Sequence, residues 1–340
     1  MRLRVGVIGL GDAWDSRHRP ALRAMADRFE VRAVFDPVSH LAEQAAREFE
    51  ATAVDSFRAL AGRDDIDAVL LLSSEWFGAL PILAACEYGK AVYCAAALDI
   101  DPDQAREVKE RVETSGVAFM AEFPRRTMPA TLRLKELIAT RLGPPRLLYC
   151  HARKRFDPAA RRHPAATTFR YPSGMRELME LVDWCRYVVG NEPTSVVGLH
   201  HCIGDLPDEC DYQMVSLDFS AGGGPGHGAL AHVSFGSYLS AEWPESVAFR
   251  PPAALQVCCD QGVAFIDLPA TLVWFDKAGQ HIESLDSERP VGERLLTQFH
   301  RAVTSLIRKT SDLEDAYRAL TIVRQARVSF RDGRRVRLEP

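Results

Sequence analysis

The chain has 340 residues, 47% apolar and 26% charged, with a formal net charge of −4 and a pI near 6.2. That length exceeds one ordinary hydrophobic core, so two domains are expected. The slightly acidic balance argues against general affinity for nucleic acid or anionic membranes, and no stretch approaches the ~20 apolar residues of a spanning helix. With no basic-then-apolar leader at Met1, a cytoplasmic protein is expected.

Val5, Val7 and Ile8 form a short apolar run that reads as a buried parallel strand, and Gly9 and Gly11 follow at once. Ala21, Leu22, Met25 and Phe29 recur at helical spacing, and Val31–Phe35 is a second apolar run closed by Asp36. Strand, glycine turn, helix, strand and terminal acid is the order of a dinucleotide-binding unit. The glycines let the backbone approach a pyrophosphate, helix N-terminal amides receive its charge, and the acid accepts ribose hydroxyls. Asp36 favours NAD over NADP, because a 2′-phosphate would meet a carboxylate. The third glycine of the fingerprint falls at Trp14, and whether the indole leaves room for a pyrophosphate is open at this point.

Helix Leu41–Phe49, strand Asp67–Leu72, helix Ala79–Tyr88, strand Ala91–Cys94, helix Pro102–Ser115 and strand Val117–Ala121 continue the alternation. A doubly wound parallel sheet over residues 1–122 is therefore expected. The second half, 123–340, changes character. Helix Leu132–Leu142 and strand Leu147–Arg153 precede a Pro- and Arg-rich loop, Asp157–Arg170, and the amphipathic helix Met175–Val189. Strand-like runs then follow without helices between them: Thr194–His200, Tyr212–Phe219, Gly228–Phe235, Ala254–Asp260, Val263–Leu268 and Thr271–Phe275. An α+β domain with a large, mainly antiparallel open sheet is expected. Helices Val291–Leu306 and Asp312–Phe330 close it. An uncovered sheet face needs a partner, so a homo-oligomer, dimer or tetramer, is expected through that sheet.

The eight cysteines form no Cys-x-x-Cys, and buried free thiols are expected. His200-His201-Cys202 with Cys210 does not make a metal set, because adjacent histidines in a strand point to opposite faces; no metal is expected.

Val5–Gly11, His18-Arg-Pro-Ala-Leu22, Asp65-Ile-Asp-Ala-Val69, Tyr88-Gly-Lys-Ala-Val92, Arg125-Arg126-Thr-Met-Pro129 and the closing Thr310–Leu338 segment together resemble the Gfo/Idh/MocA family. These are the glucose–fructose oxidoreductase and inositol dehydrogenase relatives, mostly NAD(P)-dependent oxidoreductases of sugars and polyols. The resemblance implies that Gly9, Gly11, Asp12, Ala13 and Asp36, with Ser73, Ser74 and Glu75 after the third strand, border the cofactor. It also implies that Arg125, Arg126, Arg176 and Asp183 border a small-molecule substrate.

At the chemistry positions the pattern departs. The family's Glu-Lys-Pro becomes Ala95-Ala96-Ala97, so alanine stands where its lysine sits beside the nicotinamide. Arg176 and Glu180 stand where the substrate helix carries its catalytic Asp and His, with Asp183 one turn on. Ser73-Ser74-Glu75 replaces Thr-Pro-Asn. Oxidising a secondary alcohol needs a group that takes the hydroxyl proton, which alanine cannot do. On a helix, Arg176, Glu180 and Asp183 share one face. They read either as a surface ion pair or as a site in which Arg176 clamps an anion and Glu180 acts as base. Two functions follow: an oxidoreductase with an altered proton-transfer group, or a silent relative that binds dinucleotide or a sugar-like ligand as sensor, partner or scaffold.

Overall fold

The computed structural model describes residues 1–11, 13–73, 77–95, 100, 102–156, 174–202, 210–220, 228–240, 245, 252–267, 270–286, 288–305 and 311–339. They form two compact units. One takes Met1–Pro124 with Arg289–Arg318; the other takes the middle of the chain from Arg125 and its end from Ala319.

In the first unit, β1 (Leu3–Ile8), β2 (Phe29–Phe35), β3 (Thr52–Ala53), β4 (Ala68–Leu71), β5 (Ala91–Cys94) and β6 (Phe119–Ala121) form one sheet in the order β3-β2-β1-β4-β5-β6. Every pairing is parallel. This is the doubly wound Rossmann arrangement. Strand order reverses between β1 and β4, and in such sheets ligands bind beyond the strand ends at that point. The central strands are mostly apolar, as parallel strands buried on both faces are; Val5, Val7, Val69 and Leu71 are fully buried.

Four features differ from the sequence expectation. Helix α1 (Arg19–Ala24) ends before Phe29, which instead opens β2. The turn before it, Trp14–His18, is wound as a π-helix. The short helix α2 after β3, Phe57–Ala61, is capped by the Ser56 hydroxyl accepting from the Ala59 amide, in a stretch too short to show periodicity. Helix α3 (Val291–Thr304), expected with the second domain, belongs to the first unit: Leu295, Leu296 and Phe299 join its buried core beside Leu3, Leu22 and Tyr93.

The second unit is built on a nine-stranded sheet in the order β14-β13-β12-β11-β7-β10-β9-β8-β15. Its strands are β7 (Pro145–Phe156), β8 (Ser195–Cys202), β9 (Cys210–Asp218), β10 (Leu230–Ser240), β11 (Leu255–Cys259), β12 (Gly262–Asp267), β13 (Thr271–Asp276), β14 (Gly279–Ser284) and β15 (Val336–Arg337). β7 pairs β10 in parallel and the other ladders are antiparallel, the expected α+β architecture with a mainly antiparallel sheet. Helix α4 (Met175–Val189) packs on β7 and β10, burying Leu178, Leu181, Val182 and Cys185. Glycine is obligatory at its start: Gly174 has φ +83°, and a Cβ there would lie 2.6 Å from the Phe235 ring. No described helix is long and apolar enough to cross a membrane.

Candidate functional site

At the end of β1 the chain must turn against the end of β4. Gly9 has φ +73°, and a Cβ on it would lie 2.9 Å from the Ser73 carbonyl oxygen. A Cβ on Gly11 would lie 2.6 Å from that of Leu72. Both contacts are with backbone, which cannot step aside, so only glycine lets the turn sit this close to β4. Asp36 locks the turn from the other side. Its carboxylate accepts the Leu10 amide at 2.8 Å and the Val38 amide at 2.8 Å. Each oxygen retains a lone pair for a further donor. Gly9, Gly11, Asp36 and Ser73 are thus brought together, and Ala13 is the residue from which the π turn starts. Asp12, Ser74 and Glu75 lie outside the described residues, as do Ala96, Ala97 and the 157–170 loop.

Trp14 does not stand free over this turn. Its ring packs on Phe49 at a centroid distance of 5.9 Å, inside the first unit's core. The wider winding of a π turn gives a large ring room where a helix meets a strand. The indole also walls a cavity of about 240 Å³ beside Leu10, Gly11, Leu41 and Gln44. A cradle that only glycine fits, an anchored acid and an indole committed to the core suit a dinucleotide.

A buried polar cluster that the sequence reading did not find lies past the ends of β5 and β6. Glu122, fully buried, accepts hydrogen bonds from the Tyr93 hydroxyl at 2.6 Å and shares one with His18 Nε2 at 2.8 Å. Arg17 forms an ion pair with its other oxygen, out of line for a hydrogen bond. His18 is 2% exposed, a core residue. The Glu122 amide donates to the Cys94 carbonyl, tying the cluster to the end of β5. Burial pushes the Glu122 carboxyl up, but the His18 hydrogen bond, the His18 and Arg17 charges and the Tyr93 hydroxyl outweigh it and hold the group below the ordinary carboxylate range. Burial and the neighbouring Glu122 carboxylate push the Tyr93 phenol well above its usual value. The sequence carried one signal: an acid inside the apolar run Phe119-Met-Ala-Glu-Phe123, which demands a buried partner.

In the second unit the residues expected beside a substrate divide. Arg125 and Arg126 lie on the four-residue helix Pro124–Thr127. Asp183 is 1% exposed and is not on an open helix face. Arg126 grips both its oxygens, from Nε at 2.6 Å and from its terminal nitrogen, and Arg186 donates to it at 3.2 Å. Trp184 Nε1 donates to Thr131 Oγ1 at 2.9 Å, so α4 is covered on this side as well as on its sheet side. Arg126 and Asp183 therefore form a structural knot.

Glu180 is held differently. Arg176 Nε lies 3.7 Å from one of its oxygens and Arg125 Nε 3.9 Å from the other, charge contacts too long for hydrogen bonds. Arg125 stacks over Trp184 at 5.1 Å, and no described residue accepts a hydrogen bond from its buried Nε or one of its terminal nitrogens. Arg125 and Arg176 thus flank the Glu180 carboxylate, whereas Asp183 is drawn away to Arg126 and Arg186.

Residues 3–123 match the GFO_IDH_MocA family, described as an oxidoreductase family with an NAD-binding Rossmann fold. Inositol 2-dehydrogenase of Rhizobium meliloti (strain 1021) is 28% identical over 224 residues, 64% of this chain and 64% of that protein. The scyllo-inositol 2-dehydrogenase (NAD(+)) of Bacillus subtilis (strain 168) is 27% identical over 230 residues, 65% of each. The matched stretch is thus under two thirds of either curated relative. The solved structure of levoglucosan dehydrogenase in complex with NADH and levoglucosan superposes over 100% of both chains with a TM-score of 0.82 at 17% identity, a likeness of fold.

Proposed function

We propose that this chain, which belongs to the Gfo/Idh/MocA family, is an NAD-dependent dehydrogenase of a sugar- or polyol-like small molecule whose proton acceptor is Glu180. The observation that carries the cofactor part is the glycine turn pressed on the end of β4. Gly9 and Gly11 let backbone amides approach a pyrophosphate, and Asp36, fixed by two amides, presents lone pairs to ribose hydroxyls. A 2′-phosphate would meet that carboxylate, which favours NAD over NADP. When bound, the nicotinamide supplies the hydride acceptor.

The family's lysine position is Ala96, so the hydroxyl proton needs another destination. Glu180 fits because it stands where the family's substrate helix carries a catalytic side chain, between the guanidinium groups of Arg125 and Arg176. As the substrate carbon gives up its hydride, the hydroxyl proton passes to the Glu180 carboxylate and a carbonyl remains. The test is NAD reduction over a panel of inositols and aldoses. Glu180→Gln is expected to lower kcat by ~10²–10⁴ with NAD binding unchanged. An unaltered rate overturns the assignment of Glu180.

The alanine at position 96 favours one alternative, a silent relative that binds dinucleotide or a sugar-like ligand as sensor, partner or scaffold. Tight NAD binding with no turnover on any polyol, and activity gained in Ala96→Lys, would establish it.

A further inference from the structure

We infer that the cofactor's adenine is read by its flat face, on the ring of Phe77, so that this chain selects purine over pyrimidine dinucleotides. The inference rests on the dinucleotide reading above. There the glycine turn accounts for the pyrophosphate and Asp36 for the ribose, and the base is still without a partner.

Three rings meet beside that turn. Phe35 is the last residue of β2, immediately before Asp36; Phe57 opens α2; Phe77 lies just past the end of β4. Ring centroids are 5.5 Å apart for Phe35 and Phe77, 5.2 Å for Phe57 and Phe77, and 6.4 Å for Phe35 and Phe57. β2 and β4 flank β1, whose end carries the turn, so the rings gather at the strand-end crevice where such sheets bind ligands. Val34 joins the core shared with α1, and Phe35, the next residue of an extended strand, points to the opposite face.

A core trio would be sealed, and this one is not. Phe35 is 8% exposed, but Phe57 and Phe77 are half-buried. Phe77 is anchored: Gly78 turns with φ +53°, and the Leu80 amide donates to the Phe77 carbonyl at 3.1 Å. Leu80 itself is 50% exposed, and Val38, whose amide binds Asp36, is 39% exposed. Exposed apolar and aromatic groups at such a crevice mark a ligand surface. The Phe77 ring meets its two neighbours at 45° and 56°, so neither takes the parallel, face-to-face position over it.

The base hangs from the ribose carbon next to the one bearing the 2′-hydroxyl, close to the acid that binds that hydroxyl. Two surfaces adjoin the turn. The cavity on the α1 side is walled by Asp15, Gln44 and the Arg19–Glu48 ion pair besides Trp14 and Leu41. The phenylalanine surface is carbon throughout and suits the apolar face of a base. Stacking is blind to the groups on a base's edge and grows with its ring area. Hypoxanthine should therefore substitute for adenine, and cytosine should not.

The test is calorimetric titration of the full chain with NAD and with its hypoxanthine and cytosine analogues. NAD and the hypoxanthine dinucleotide should bind with similar affinity, and the cytosine dinucleotide about fivefold more weakly or worse. Phe77→Leu, which keeps the apolar bulk and spares the fold, should lower NAD affinity about five- to hundredfold and shrink the purine preference; Phe77→Tyr should keep both. A purely structural loss lowers all three dinucleotides by one factor and leaves their ratios fixed. Leu41→Ala, in the α1-side cavity, should leave the ratios as they are.

Ratios unmoved in Phe77→Leu overturn the inference, as does a preference lost in Leu41→Ala instead. So does a parent that binds the cytosine analogue as well as NAD, or the hypoxanthine analogue as weakly as the cytosine one, or no dinucleotide at all. The dehydrogenase reading fails separately. A purine preference that depends on Phe77, with no cofactor reduction on any polyol, removes the reaction and keeps the base site. Polyol oxidation as fast and at as low a KM with the cytosine analogue as with NAD removes the base site and keeps the reaction.

Discussion

Glu122 offers the sharpest energetic test, because its carboxylate is wholly enclosed and three side chains converge on it. Substituting Glu122→Leu leaves the Arg17 charge without its anion and the Tyr93 hydroxyl and His18 Nε2 without an acceptor. Breaking a buried ion pair from one side costs about 3–5 kcal/mol. For a unit of this size that is a fall in Tm of roughly 6–20 °C, at 2–4 °C per kcal/mol. The companion change Arg17→Met, at a side chain 22% exposed, should cost less, since the carboxylate it abandons keeps two hydrogen bonds.

The double variant carries the decisive number. With both charges gone, neither the carboxylate nor the guanidinium is left without the other, so it should be more stable than the sum of the single losses requires. A coupling of 1–3 kcal/mol is expected, within the ~0.5–3 kcal/mol found for contacting pairs. The assay is thermal and urea unfolding of the four proteins near neutral pH. Strict additivity, or a Glu122→Leu loss below about 1 kcal/mol on the same scale, would refute the claim that this cluster is a coupled buried network. The pH arm has a defined sign. The folded-state value of Glu122 is depressed, so its contribution is present above the unfolded carboxylate value, ~4.3, and disappears as pH falls through the folded value. Glu122→Leu should therefore unfold with a flatter acid limb than the parent.

The glycine cradle and its acid make two further predictions. Gly11→Ala places a Cβ 2.6 Å from the Leu72 carbonyl oxygen and should cost about 1–3 kcal/mol together with most NADH binding, read by unfolding and by NADH fluorescence; unchanged affinity would dissociate the turn from the cofactor. Asp36→Ala removes the acceptor for Leu10 and Val38 amides, so NAD affinity should fall while the ratio of NADP to NAD affinity rises, measured by competitive titration; a ratio that stays fixed removes Asp36 as the selector.

The alternation of the first unit was legible because buried parallel strands are apolar along their whole length. Val5–Ile8, Val31–Phe35 and Ala68–Leu71 announce themselves without any periodicity. What escaped notice was short or polar. β3 is two residues long and exposed, Phe57–Ala61 is barely more than one helical turn, and β14 has Ile282, itself 65% exposed, as its one apolar residue. Phe29 misled because it lies four residues after Met25, the spacing of a helix face. The chain turns between them, and Phe29 reaches the core as the first residue of β2. The buried cluster was invisible for a different reason. His18, Tyr93 and Glu122 sit 104 and 29 residues apart, and no local pattern links groups that only a folded sheet brings together.

The two acids of α4 show how three residues of separation decide a role. On a helix, positions three apart share a face, so the sequence placed Glu180 and Asp183 together with Arg176. Packing separates them. Asp183 lies deep enough to be met by Arg126 on both oxygens and by Arg186 from the next turn, leaving nothing to offer a ligand. Glu180, one turn toward the helix start, lies 3.9 Å from Arg125 and 3.7 Å from Arg176. A group that must accept a proton needs lone pairs not already committed to strong donors, because each charge-assisted hydrogen bond to the ionised form stabilises it against protonation. The same reasoning removes Asp183 from the chemistry.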